Sequence, residues 1–249
     1  MKNLSLITAI AVILALGRVS KSQAATFIDT CGAECGINGA IGYLGEGSPL
    51  GNGIPLNIGQ TFTVPNTDNV LSEFSFFLSD PLSFPDVVDF RAFVIQWDEK
   101  NNTPTGSVLF ESKPPSTTFQ NSLYPMQEFV FNTGGIELVS GGKYLAFLSS
   151  LKDLDGLPGY AWVGESPLSP VFDRYLDGKT FLISATNFDS IINSSWDLDT
   201  PSADLNFKAI FISEHSTSVP EPSLIWGFFV LSAFSPVLSL WEKPMPESL

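Results

Sequence analysis

The chain has 249 residues, of which 21 are phenylalanine, 26 acidic and 12 basic, for a formal charge of −14. A field of that sign repels phosphate backbones and anionic headgroups, which excludes nucleic acid as a partner. Plentiful aromatic and turn-forming residues suit pleated strands joined by corners and disfavour a helical fold.

The front reads as an export signal. Met1-Lys2-Asn3 is a short positive start, Leu4 to Leu16 is an uncharged apolar run, and Ser22-Gln23-Ala24 puts small residues where a signal peptidase needs them. A signal peptide over 1–24, cut between Ala24 and Ala25, is the expectation, since the run is too short to span a bilayer comfortably. Losing Lys2, Arg18 and Lys21 and no acid would take the formal charge from −14 to −17.

Residues 25–54 form an N-terminal segment holding the two cysteines, Cys31 and Cys35. Outside the cytosol a local disulfide is expected, worth about 2 kcal/mol for so small a loop. A metal site is the rival, although no histidine or further cysteine completes it.

Residues 55–213 read as the folded body. Strands are predicted over 59–64, 70–79, 89–98, 107–112, 127–132, 143–150, 159–164, 179–184 and 206–213, with a turn over 101–106. Phe74, Phe76 and Leu78 share one face of their strand. Phe90, Ala92 and Val94 lie on one side of the next, and Phe93, Ile95 and Trp97 on the other. No window carries a sustained 3.6-residue apolar repeat, so two packed antiparallel sheets are expected. Four stretches support this: 59–65, 90–97, 131–135 and 142–147. Together they resemble a jelly-roll-like β-sandwich domain of secreted bacterial surface proteins. The resemblance implies a fold and no catalytic residues.

Chemistry is sparse. A Ser-His-Asp triad needs an imidazole, and the single histidine, His215, lies in the linker after the last predicted strand. Paired carboxylates would suffice for glycoside hydrolysis, and Asp86, Asp89, Asp98, Glu99, Asp173 and Asp177 are available, but with acids this plentiful a solvated surface is the better explanation. Asp153 and Asp155 sit two apart beside Gly156, a spacing that suits Ca²⁺ ligands and also an ordinary turn. Trp97, Trp162 and Trp196 would make an aromatic platform for sugar rings, or else part of a phenylalanine-rich core.

Residues 214–222 form a linker ending in Pro220-Glu221-Pro222, followed by the uncharged apolar run 223–241 and a tail over 242–249. At 1.5 Å per residue the run reaches about 28 Å, enough for a transmembrane helix, and Trp226 and Trp241 stand near its ends. This order resembles the sorting tail of PEP-CTERM proteins of Gram-negative bacteria and cyanobacteria. The resemblance implies recognition of Pro220, Glu221 and Pro222 by an exosortase-type membrane protease. The family's basic cluster is replaced here by one lysine between two acids, Glu242-Lys243-Pro244-Met245-Pro246-Glu247. Plain anchoring by the helix therefore stays open.

The expectation is an all-β, non-enzymatic protein of the cell envelope, outer surface or extracellular matrix, anchored in a membrane at least for a time. A structural or adhesive role leads. A carbohydrate-binding module for extracellular polysaccharide and a glycan-acting hydrolase are the alternatives. No cofactor is expected, with Ca²⁺ the one candidate ion.

Overall fold

The computed structural model describes residues 25–36, 39–46, 53–79, 88–115, 125–166, 175–198 and 204–213. The expected signal sequence over 1–24, the Pro-Glu-Pro linker, the apolar run and the tail lie outside the described residues. Among the described residues no helix is long and apolar enough to cross a membrane.

The described chain is all-β. Its strands are β1 (Thr26–Asp29), β2 (Ala40–Leu44), β3 (Leu56–Thr63), β4 (Val70–Ser79), β5 (Arg91–Asp98) and β6 (Thr103–Glu111). They continue with β7 (Gln127–Glu137), β8 (Lys143–Ser149), β9 (Ala161–Gly164), β10 (Thr180–Ser184), β11 (Asp197–Leu198) and β12 (Phe207–Ile212). Among the described residues a 3-10 turn (Gly32–Glu34) and one short α-helix, α1 (Phe188–Asn193), interrupt them.

Hydrogen bonding links the strands into one mixed sheet in the order β1-β12-β4-β9-β2-β3-β8-β5-β6, with β7 on β4, β10 on β3 and β11 on β10. Every named pairing is antiparallel except β2 with β3, which meet in parallel at Leu44 and Leu56. The sheet folds on itself like a sandwich. β1, β12, β4 and β7 form a first layer, β10, β3, β8, β5 and β6 a second, and β9 and β2 connect them. Phe62 of β3 lies 5.9 Å from both Phe207 and Phe211 of β12, a contact between strands that share no hydrogen bonds.

The sequence alternation explains the layers. Phe74, Phe76 and Leu78 point inward from β4, Phe129 and Phe131 from β7, and Phe207, Ala209 and Phe211 from β12. Ala92, Val94, Ala146, Leu148, Ile58 and Phe62 meet them from the second layer. Each buried phenylalanine removes enough apolar surface to contribute about 1.5–3 kcal/mol. The opposite faces of β5 and β8 are also apolar. Phe93, Ile95, Trp97, Leu145 and Phe147 pack with Ile191 and Trp196 in a second core. Partly buried Phe188 and Ile192 of α1 pack against this core, so α1 helps cover the outside of the second layer. Gly59 makes this possible, because a Cβ there would lie 2.8 Å from both Leu145 Cδ1 and Phe147 Cβ.

Three features depart from the sequence expectation. The segment 25–54 is not separate from the body, because β1 pairs with β12 and β2 with β9. The turn expected over 101–106 closes at Asn102, whose φ of 51° suits asparagine, and Thr103 already begins β6. The helix α1 is too short for a sustained apolar repeat. It starts where the Asn187 side chain accepts the Ser190 N–H.

Candidate functional site

The two layers differ in what covers their outer faces. The second layer carries α1 and the second core, whereas the first leaves a cleft of about 380 Å³ across β1, β12, β4 and β7. Strand register places its side chains in rows. Phe27 pairs with Ile210, Ile210 with Glu73, and Glu73 with Asn132. One step along, Asp29 pairs with Lys208, Lys208 with Ser75, and Ser75 with Val130. A third pairing sets Phe77 opposite Glu128. Because side chains alternate along a strand, these residues share the outward face opposite the phenylalanine core.

The surface is apolar in places and rich in acceptors. Phe27 is 64% exposed and Val130 56%. Ser75 Oγ donates to Glu128 Oε1 at 2.7 Å, and Lys208 Nζ donates to the same oxygen at 3.3 Å. Lys208 Nζ also lies 4.9 Å from the centre of the Phe77 ring. The Glu73 carboxylate has no hydrogen bond or ion pair among the described residues, although its backbone pairs with β12 and β7. The Asn132 amide oxygen accepts the Gly134 N–H at 2.8 Å, leaving its NH₂ group available. Beside this cleft a second one, of about 390 Å³, runs between β6 and β7 and includes Phe110, Lys113, Phe131 and Asn132. Val130 lines both.

One end of the face is closed by the cysteine loop. Cys31 and Cys35 are joined by a disulfide with Cα atoms 4.9 Å apart. Asp29 Oδ1 accepts the N–H groups of Cys31 and Gly32 at 3.1 and 2.6 Å, holding the loop to β1. Cys31 packs on Phe77 and Met126, with Trp162 beside them. Ligand atoms of Asp29, Cys31 and Cys35 lie within 4.8 Å of one another, yet sulfurs bonded together leave no thiolate for a metal.

The three tryptophans do not share a surface. Trp196 is 1% exposed and Trp97 5%, and both lie in the second core with ring centres 6.4 Å apart. Trp196 Nε1 donates to the Ile191 carbonyl at 2.9 Å, tying the loop to α1. Trp162 is half-buried near the cysteine loop and meets Tyr43 edge-on at 5.1 Å. Buried indoles present no face to a sugar, so Trp97 and Trp196 cannot serve as a platform without opening this core.

Asp153 and Asp155 come together with Glu46 and Asp89 around a crevice of about 10 Å³. Both oxygens of Asp153 and Glu46 and one of Asp155 already have partners. Arg91 Nε and Nη2 donate to the Asp153 carboxylate at 2.8 to 3.2 Å, and this hydrogen bonding raises the arginine's pKa above its ordinary value. Asp155 Oδ1 accepts the Leu157 N–H at 2.8 Å, and Glu46 accepts the N–H groups of Asp155 and Gly156. Asp98, the last residue of β5, likewise engages its carboxylate locally, on the turn that follows. The Asn101 side chain and the Lys100 N–H donate to it and hold its carboxyl below the usual range. Tyr175 is the one phenol with a displaced pKa among the described residues. Burial pushes it up, while its oxygen accepts the Thr63 N–H at 2.8 Å.

Of the sequence-predicted site residues, Ala25 stands directly before β1. Ala24, Pro220, Glu221 and Pro222 lie outside the described residues. The outer face itself was missed. Part of it was readable, since placing Phe129 and Phe131 inside turns Glu128, Val130 and Asn132 outward.

No family model matches the chain, and no curated protein matches it. Two similar solved structures contain the Clostridial cysteine protease Cwp84. One, of the protease after propeptide cleavage, has a TM-score of 0.46 and 7% identity over 76% of this chain and 40% of that one. The other holds the cysteine protease and lectin-like domains of Cwp84, a surface layer associated protein of Clostridium difficile. It has a TM-score of 0.41 and 9% identity over 64% of this chain and 32% of that one. The chain spans less than half the length of either, and likenesses this distant do not say what it does.

Proposed function

We propose that this is an exported surface or matrix protein whose folded body works by adhesion, without catalysis, through the outer face of its first layer. The observation that carries the reading is the asymmetry of the two outer faces. One is covered by α1 and a second core, and the other presents Phe27 and Val130 to solvent. Exposed apolar side chains at both edges of a cleft whose middle is polar suit an interaction surface better than a solvated face. The doubled, largely antiparallel sheet supports a jelly-roll-like reading of the body. The apolar front segment, the Pro-Glu-Pro linker and the apolar run after it support export, membrane retention and handling by an exosortase-type protease.

The test uses cells displaying the protein with Phe27→Arg and Val130→Arg together. Export and abundance should match the unaltered protein, while attachment to neighbouring cells or matrix is lost. Unchanged attachment with both arginines present would overturn the assignment of the face.

A further inference from the structure

We infer that the outer face of the first layer holds an extended polysaccharide chain free of acidic groups, seated on Phe27 and Val130 and hydrogen-bonded by Glu73, Glu128 and Asn132. This rests on the adhesive reading and names its ligand class.

The hydrogen-bonding inventory selects the ligand. Both oxygens of Glu73 are without partners among the described residues, and Glu128 keeps its second oxygen after accepting from Ser75 and Lys208 through the first. Lys208 is the ammonium of the first cleft, and Glu128 already engages it. Lys113 of the second cleft is offset by Glu111 beside it in the lining, so acids outnumber cations along the path among the described residues. A ligand must therefore supply donors, as sugar hydroxyls do. A polymer bearing carboxylate or sulfate groups would set like charges against Asp29, Glu73 and Glu128.

Shape agrees with the chemistry. Four strands at about 4.8 Å spacing make each row roughly 14 Å wide. The two clefts, of about 380 and 390 Å³, meet at Val130, giving a path longer than one ring. Phe27 offers a flat apolar face on the edge strand, and the apolar side of a pyranose packs on such a ring.

Two other occupants fit less well. A basic peptide adding a strand would find only four residues at the β1 edge, and at the eleven-residue β7 edge it would lie beside the sheet, three strands away from Phe27. A second copy of this chain would bring Asp29, Glu73 and Glu128 against their own kind.

The experiment measures binding of purified full-length protein to the producing cells' own extracellular polymer, divided by anion exchange into neutral and acidic fractions. The neutral fraction should bind and the acidic fraction should not. Phe27→Ala should weaken binding about tenfold or more and Glu73→Gln about threefold, with melting temperature unchanged because neither side chain belongs to the core. Equal or tighter binding to the acidic fraction overturns the inference, as does full binding by both variants. So does failure of the neutral fraction to bind. If that failure comes while cell attachment still depends on Phe27 and Val130, the ligand class falls and the adhesive face stands. If attachment is also indifferent to them, both fall.

Discussion

Replacing Trp196 by alanine separates a packing indole from a binding one. The side chain is fully buried, its ring lies 5.4 Å from Phe147 and 6.4 Å from Trp97, and its Nε1 donates to the Ile191 carbonyl at 2.9 Å. Truncating such a residue loses the transfer energy and leaves a cavity, together about 3–5 kcal/mol. The two aromatic contacts account for about 0.5–1.5 kcal/mol each and the hydrogen bond for about 1 kcal/mol. Against a total stability of about 5–15 kcal/mol, the alanine variant should lose about a fifth or more of the free energy of unfolding. Trp196→Phe keeps an aromatic ring and forfeits the hydrogen bond, so it should lose about 1–2 kcal/mol. Urea unfolding followed by circular dichroism measures both. A loss below about 1 kcal/mol for the alanine variant would refute the second core as described. Sugar binding lost with stability intact would restore Trp196 as a platform residue.

Gly59→Ala should destabilise by about 1–3 kcal/mol in the same assay, because its new methyl meets Leu145, Phe147 and the Ala146 carbonyl at 2.8 to 2.9 Å. Tyr175 has a raised folded pKa, so its contribution is complete below the unfolded value of about 10 and is lost as pH rises through the folded one. Stability should therefore fall more steeply above pH 10 in the unaltered protein than in Tyr175→Phe, and equal slopes would deny the phenol that role. Asp98 has a lowered folded pKa, so its small contribution is present above about 3.9 and lost as pH falls through the folded value. Carboxyl carbon NMR should show Asp98 titrating below ordinary aspartates and returning toward them in Asn101→Ala. No movement in that variant would contradict the Asn101 hydrogen bond.

Much of the sheet was legible because alternation reports two faces at once. The bounds expected for β4 match the structure, and the split of residues 90–97 into Phe90, Ala92 and Val94 against Phe93, Ile95 and Trp97 assigns those residues to two cores. What escaped notice was short or non-local. β1 has four residues, and its adjacent Phe27 and Ile28 mark no face until β12 pairs with them from the far end of the chain. β11 has two residues and α1 six, too few for either period to register. Burial explains the indoles. A tryptophan in a phenylalanine-rich chain reads alike whether the sheet's outer face is bare or covered, and α1 decides that for Trp97 and Trp196. The acidic crevice shows the same limit, since Arg91 lies 62 positions from the Asp153 it neutralises.

The most direct test of export to the cell surface is fractionation of the producing cells with intact-mass and thiol measurement on the protein recovered. The account predicts a chain beginning at Ala25, found in the envelope or medium, with Cys31 and Cys35 oxidised and no free thiol. A full-length chain dissolved in the cytosol with both thiols free would contradict it.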